Sequence, residues 1–345
     1  MPDGSTAIAV TTEHINNCQY STWYKKYRKV SPKARIIKPL PKEFIEYLLA
    51  DGIVLPEEEI KWKGRDDDSE KIREIGDSGI EEVEASEEKT VGDPTTRFPD
   101  LHTQIKSIID ELGAVCPKLN WSAPKDSIWI ATSNTMRCVS PSDIYMLLKA
   151  SNYITHDLTE PYPDGSLAES YELVLRSWFD INPSLEFRCF VKNSKLVAIS
   201  QRDMNYYDFL EPLQSKLQTR IEAFFNDNLK ETFPDPSYVF DVYVPRPFDR
   251  VWLIDINPFA DYTDSLLFSW DQLAYIKSTS SIDFRLVDKL DSSRGFGTVE
   301  HTENYVPMDF VEAGMMGQSI SDLTQQWKKL LQTQEEDDDS EEDED

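Results

Sequence analysis

The stretch from Tyr171 to Phe259 constrains the fold most. It reads strand, hairpin, helix, hairpin. YELVLRSWF (171–179) alternates. LEFRCFVK (185–192) and KLVAISQR (195–202) flank Asn193-Ser194, a two-residue hairpin turn. In LQSKLQTRIEAFFNDNL (213–229), Leu213, Leu217, Ile221 and Phe224 fall on one helical stripe. YVFDVYV (238–244) and RVWLIDINPF (250–259) form a last pair of strands around PRPFD. Strands and amphipathic helices mixed in this way predict the α+β class.

Other elements flank this block. PKEFIEYLLADG predicts a helix with Phe44, Ile45, Leu48 and Leu49 on one face and Gly52 as its stop. LHTQIKSIIDELG predicts another, apolar at Leu101, Ile105, Ile108, Ile109 and Leu112 and ended by Gly113. SPSDIYMLLKAS opens on Ser140 as N-cap, Pro141 in the first turn and Asp143 three residues after the cap. SIWIAT (127–132) reads as a short strand, and helical and extended segments alternate after 270. The aromatic run CQYSTWYKKY is expected to dock on the body.

Charge divides the chain into parts. The net charge is −27 over 345 residues, of which 57–93 carries −9 and 335–345 carries −10, leaving −8 for the rest. We expect a body made of 1–56 and 98–333, a disordered acidic insertion at 57–97 and a disordered acidic tail at 334–345. So acidic a chain is a poor generic binder of phosphate backbones, because that affinity comes from Lys and Arg displacing counterions. No apolar run nears the roughly 20 residues of a membrane span, and the first 30 residues hold no apolar leader core. Cys18, Cys116, Cys138 and Cys189 are far apart and read as reduced thiols of a cytosolic or nuclear protein. His14, His102, His156 and His301 are scattered, unlike the close ligand pairs of a structural zinc site, and suggest no catalytic triad.

Chemistry concentrates on the last hairpin. With the turn centred on Phe248, Asp241 faces Asp255, and Asn257 points to the same side as Asp255. Two opposed carboxylates repel unless something compensates them. Mg²⁺ does so, taking one or two carboxylates together with phosphate oxygens; solvation or pairing with Lys or Arg is the alternative. Arg188 lies on the opposite strand face from Phe187, Cys189 and Val191, placed either for a mid-sheet site or for a surface pair with a Glu. Lys118 and Lys125 in CPKLNWSAPKD are further candidate cations, or else solvated loop charges, and YELVLR offers either an adenine edge or a core strand. A P-loop, a G-x-G-x-x-G fingerprint, a nucleophile elbow and the kinase motifs are all absent from the sequence.

CPKLNWSAPKD, YELVLR, EFRCFVK, ISQRD, VFDVY and LIDINPF followed by TDSLLFSW occur in this order. With CQYSTWY and LPKEFIEYLLADG before them, they resemble the cell-division-cycle protein 123 family over about residues 14–270. The resemblance implies an ATP-grasp-like α+β fold, with mixed or antiparallel sheets, helices and a nucleotide cleft between two lobes. It implies a cytoplasmic, monomeric chaperone that binds ATP and Mg²⁺. Its partner would be the gamma subunit of eukaryotic translation initiation factor 2, whose heterotrimer it would help assemble for translation initiation and cell-cycle progression. Neither nucleic acid nor membrane is an implied partner.

By the same resemblance, Lys118 and Arg188 contact phosphates, and Ser122, Ala123 and Lys125 cover the nucleotide. Glu172, Val174 and Leu175 line the adenine edge, while Asp241, Asp255 and Asn257 hold Mg²⁺. No catalytic residue is assigned, since the loop over the phosphates is not Gly-rich as in ATP-grasp enzymes at large. An ATP-grasp ligase that activates a carboxylate as an acyl phosphate is the alternative, and an acidic scaffold with a vestigial site is a third.

Overall fold

The computed structural model describes residues 10–56, 93–276 and 281–289. The acidic tail, nearly all of the acidic insertion, His301 and the segments beyond 289 lie outside the described residues. The last residues assigned to the insertion are described: Pro94–Arg97 is a 3-10 turn capped by Asp93, whose Oδ1 accepts from the Thr95 N–H at 2.8 Å.

The chain opens with helices α1 (Thr12–Asn17) and α2 (Tyr20–Tyr27), strand β1 (Ala34–Ile37) and helix α3 (Lys42–Leu49). Helix α4 (Pro99–Leu112), strand β2 (Val115–Lys118), helices α5 (Pro141–Lys149) and α6 (Asn152–Thr159) and strand β3 (Leu173–Ser177) complete the first half. The second half holds β4 (Glu186–Lys192), β5 (Lys195–Gln201), α7 (Gln214–Phe224), β6 (Tyr238–Tyr243), β7 (Trp252–Pro258), α8 (Trp270–Tyr275) and β8 (Asp283–Arg285). This is an α+β architecture, as the sequence predicts.

Local chemistry explains the boundaries. Ser140 accepts from the Asp143 N–H while the Asp143 carboxylate accepts from the Ser140 N–H, so the start of α5 is the expected capping box. Gly113 closes α4 at φ +81°, in the left-handed region where a side chain is strained. Asn193 and Ser194 both take positive φ (50° and 57°), as a primed hairpin turn requires. On α3 the buried residues are Phe44, Tyr47 and Leu48, with Leu49 on the exposed side instead of the core.

One assignment is corrected. SIWIAT is not a strand, because Lys125–Ile130 winds into a 3-10 helix. Its anchor is Ser127, whose buried Oγ lies within hydrogen-bond distance of the Pro124 and Leu147 carbonyls at 2.9 and 2.8 Å. A short apolar run does not fix helix or strand by itself, and tertiary hydrogen bonding decides here.

Two sheets organise the molecule. The small one has the order β1-β3-β2 and is antiparallel throughout. One of its faces, with Leu173 and Leu175, packs under α3, α4, α5 and α6. The large one has the order β7-β6-β4-β5-β8, with only β5 and β8 parallel. One face carries Phe187, Cys189, Phe240, Val242 and Ile256 and is covered by Leu217, Ile221 and Phe224 of α7 and by Trp23 of α2. Burying each such large side chain stabilises the fold by about 1.5–3 kcal/mol. The opposite face is apolar at one end, with Phe190 and Val239 under Phe259, Phe268 and Leu273, and charged at the other, with Arg188 and Asp241. That charged end looks toward the small sheet. Among the described residues, no helix is long and apolar enough to cross a membrane.

Candidate functional site

The site starts from strand register. Asp241 and Asp255 are direct cross-strand partners, as the turn centre predicts, and Val239 partners Asn257. Arg188 on β4 is the partner of Asp241 on its other side. Sheet geometry thus lines up Arg188, Asp241 and Asp255 across three strands.

Arg188 and Asp241 form a fork-to-fork pair, Nε to Oδ1 at 2.8 Å and Nη2 to Oδ2 at 2.9 Å. Both are buried, 6 % and 2 % exposed. The remaining Arg188 Nη1 donates to the Asp264 carbonyl at 2.7 Å. Burial alone would raise the Asp241 pKa, but the charge and hydrogen bonds of Arg188, with Arg202 and Lys125, hold it well below the usual carboxylate range. Arg188 is therefore no surface pair with a Glu; it neutralises the hairpin carboxylate from inside the sheet.

Lys118 ends β2 and crosses to the large sheet. Its ammonium, 1 % exposed, donates to Asp255 Oδ2 at 2.8 Å and to the Trp121 carbonyl. The 119–122 turn that presents this carbonyl is pinned by buried Asp157, which accepts from Ser122 N–H and Oγ at 2.8 and 2.7 Å and from Trp121 N–H at 3.2 Å. Ser122 thus has its hydroxyl committed to Asp157, and Ala123 is buried beside it. Burial raises the Asp157 pKa against these hydrogen bonds.

A cavity of about 790 Å³ opens between the sheets. Lys125, Arg176, Arg202, Asp180, Glu186 and Asp203 supply its charge, and Ile128, Trp178, Phe179 and Met204 much of its apolar wall. The Lys125 ammonium makes no hydrogen bond or ion pair with another described residue, and burial, with the nearby Arg202 charge, pulls its pKa down to about 7. Arg202 lies 3.4 Å from Asp241 and 3.8 Å from Glu186, linking the cavity to the buried fork. Arg176 bridges the sheets through the Ile254 carbonyl at 3.1 Å.

Lys118, Lys125, Arg188, Asp241 and Asp255 therefore form one electrostatic cluster. Glu172, Val174 and Leu175 do not join it. The Glu172 carboxylate is used by the Ser21 N–H, Gln19 and Lys38. Val174 lies under the aromatic residues of α2, and Leu175 faces the helices on the other side of the small sheet. The part of this chain segment that lines the cavity is Arg176–Ile181, past the cover of α2.

Asp241, Asp255 and Asn257 offer oxygen donors suited to a small hard cation. Asn257 Nδ2 is buried without a hydrogen-bond partner, so no such bond fixes its amide and Oδ1 can turn to a ligand. Each carboxylate keeps lone pairs beyond those its cation uses. The residues present thus fit Mg²⁺.

Sequence reasoning passed over Arg176, Glu186, Arg202 and Asp157. Arg202 and Glu186 carried a signal, since the hairpin closed at Asn193-Ser194 sets the ends of its strands side by side: the Arg202 N–H donates to the Glu186 carbonyl at 3.1 Å. Asp157 sits on α6 with no local pattern marking it.

Comparison with known proteins supplies the family. The D123 family matches residues 23–314. A protein of Yarrowia lipolytica named cell division cycle protein 123 is 47% identical over 318 residues, covering 91% of this chain and 82% of its own. A translation initiation factor eIF2 assembly protein of Vanderwaltozyma polyspora is 46% identical over 347 residues, covering 95% and 94%. The solved structure of Cdc123 from Schizosaccharomyces pombe superposes with a TM-score of 0.66 at 37% identity, covering 82% of this chain and all of that one. The family resemblance in the sequence motifs, the profile match across most of the chain and the likeness to a solved member agree: this chain belongs to the D123 family.

Proposed function

We propose that the chain is an assembly factor for translation initiation factor 2, that it binds ATP with Mg²⁺ in the cleft between the two sheets, and that the gamma subunit is the part of the factor it engages. The observation that carries the nucleotide reading is the pairing of Lys118, Arg188 and Arg202 with two cross-strand aspartates, with the Lys125 ammonium, unpaired among the described residues, close by, beside a cavity with aromatic walls. The assembly reading rests on the name of the Vanderwaltozyma relative.

In this reading the adenine ring lies along Arg176–Ile181, where Trp178 and Phe179 give apolar cover. Lys118, Lys125 and Arg188 face the phosphates. Asp241, Asp255 and Asn257 hold Mg²⁺, which when bound neutralises phosphate charge. Lys118, Arg188 and Arg202 are already ion-paired without ligand, so binding there exchanges partners, and Lys125 is the cation of the cluster that gains one. Asp157 fixes the turn that orients Lys118.

The test is joining of the subunits from purified components with this chain, with and without Mg²⁺–ATP. Faster joining that needs both the chain and the nucleotide is expected. Equal joining without the chain removes the assembly reading, and equal joining without ATP removes the nucleotide from it. Turnover with a small carboxylate and an amine is the outcome that favours a ligase.

Lys125 makes the nucleotide reading testable by pH. Its folded pKa of about 7 lies below that of a free lysine, and a bound phosphate anion raises it again. Below pH 7 the ammonium is charged with or without ligand, so affinity is flat. Above pH 7 binding must take up a proton, and ATP affinity falls by up to about tenfold per pH unit. Lys125→Met should remove that slope in calorimetric titrations from pH 6 to 9; an unchanged slope dissociates Lys125 from the phosphates.

A further inference from the structure

We propose that a basic surface at the tip of the last hairpin docks the chain's own acidic run, Glu335–Asp345. The sequence is lopsided: from His14 to Lys42 it holds eight Lys or Arg and no Asp or Glu, in a chain of net charge −27. Several of these bases are accounted for locally. Lys33 and Arg35 pair with Glu111, Lys38 with Glu172 and Lys42 with Glu46. Arg28 and Lys29, at the end of α2, are exposed and pair with no acid among the described residues.

The fold sets them beside a second basic group. The Val30 carbonyl accepts from the Leu253 N–H at 2.8 Å, which joins the end of α2 to the start of β7. At that point Arg250 stacks on Trp252, 3.6 Å from the ring centroid. Around the turn, Arg246 and Lys216 lie over Phe248 at 5.5 and 5.0 Å. Arg246 and Arg250 likewise pair with no acid among the described residues. Five cations, three of them braced on aromatic rings, thus gather here, with exposed Asp249 in the turn and exposed Asp208 next to Phe209, over which Arg246 also lies at 5.3 Å. Stacking leaves the outer edge of an arginine fork free to take a carboxylate.

The occupant follows from charge and tethering. Glu335–Asp345 carries ten acids and no base. The 45 residues between Lys289, the last described residue, and Glu335 can span up to about 150 Å, so reach does not limit the contact. A segment on the same chain meets the surface at high effective concentration, where even weak screened pairs add up.

Zero-length carbodiimide cross-linking of the full-length protein, read by mass spectrometry, tests this. Tail carboxylates should couple to Lys25, Lys29 and Lys216 over the exposed controls Lys106 and Lys195. At 0.5 M salt, where the Debye length shrinks to about 4 Å, that preference should fall at least about fivefold. The variant Arg28→Glu/Arg246→Glu/Arg250→Glu keeps every reporter lysine and changes only exposed side chains, and it should lose the preference at low salt. Mixing isotopically light and heavy copies shows whether the links lie within one chain. Even coupling across all lysines, no tail coupling, persistence in the variant, or links only between light and heavy copies each overturns the proposal; the last outcome assigns the surface to a second copy instead.

Discussion

Replacing Asp241 with alanine should cost about 3–5 kcal/mol of stability, the loss typical of breaking a buried ion pair from one side. The charge that Arg188 keeps is the reason. Its guanidinium is 6 % exposed, and two of its three nitrogens donate to Asp241. Without the carboxylate, the Asp264 carbonyl is its one remaining partner among the described residues. The double variant Arg188→Met/Asp241→Leu should be more stable than either single change, because a buried pair competes poorly with well-packed apolar groups. Urea melts of the four proteins decide it, and an Asp241→Ala loss under about 1 kcal/mol would show the charge to be resolvated. Acid tells the same story with a definite sign. The folded-state pKa of Asp241 is depressed, so the stability it contributes is present above the unfolded value of about 3.9 and is lost as pH falls through the folded one.

That pair was half legible in the sequence. The hairpin turn centred on Phe248, which takes φ +70°, sets Asp241 opposite Asp255, and the observed register agrees from Tyr238 to Asp241. Nearer the turn the pairing slips by one, Val242 to Leu253, because the extra residue Ile254 bulges out. The β4–β5 hairpin slips in the same way around Val197. Alternation along each strand survives such slips locally, which is why the sequence sets Arg188 opposite the apolar face of its own strand and Asp255 and Asn257 on one side of theirs. The bonding of Arg188 to Asp241 could not be read in this way, since the β4–β6 pairing links segments separated by the whole of α7.

At the strand expected to offer an adenine edge, the limit of the pattern is of another kind. YELVLR was recognisable as a strand, and β3 is one. Periodicity says which residues share a face, but not where along that face a neighbouring element stops covering it. Glu172 and Val174 share a face with Arg176, yet α2 covers the first two and leaves the third at the cavity. In SIWIAT a buried serine hydroxyl overrode an apolar pattern. Capping, by contrast, is short-range chemistry, and Ser140, Asp143 and Gly113 act as the sequence alone predicts.

The largest functional effect is expected at Asp255, and the structure dictates which substitution tests it. Alanine is a poor choice: the Asp255 carboxylate is the acid partner of Lys118, 2.8 Å away, and its loss would leave an ammonium 1 % exposed with the Trp121 carbonyl as its only partner among the described residues. Destabilisation and lost binding would then be confounded. Asp255→Asn keeps an oxygen within reach of Lys118 and removes only the charge. If Asp255 holds Mg²⁺ with Asp241 and Asn257, this variant should lose on the order of 100-fold in affinity for ATP in Mg²⁺, as expected for damage to a metal's ligand set. Metal-free ATP should bind the variant at least as well as wild type, because Lys118 is then freer to meet a phosphate. The change is thus a loss of metal dependence, which misfolding cannot mimic. Calorimetric titrations with and without Mg²⁺ measure both arms. Equal losses in the two arms would place Asp255 in the scaffold, as the structural counter-charge of Lys118, and would leave Asp241 and Asn257 without the carboxylate that a cation between the strands needs.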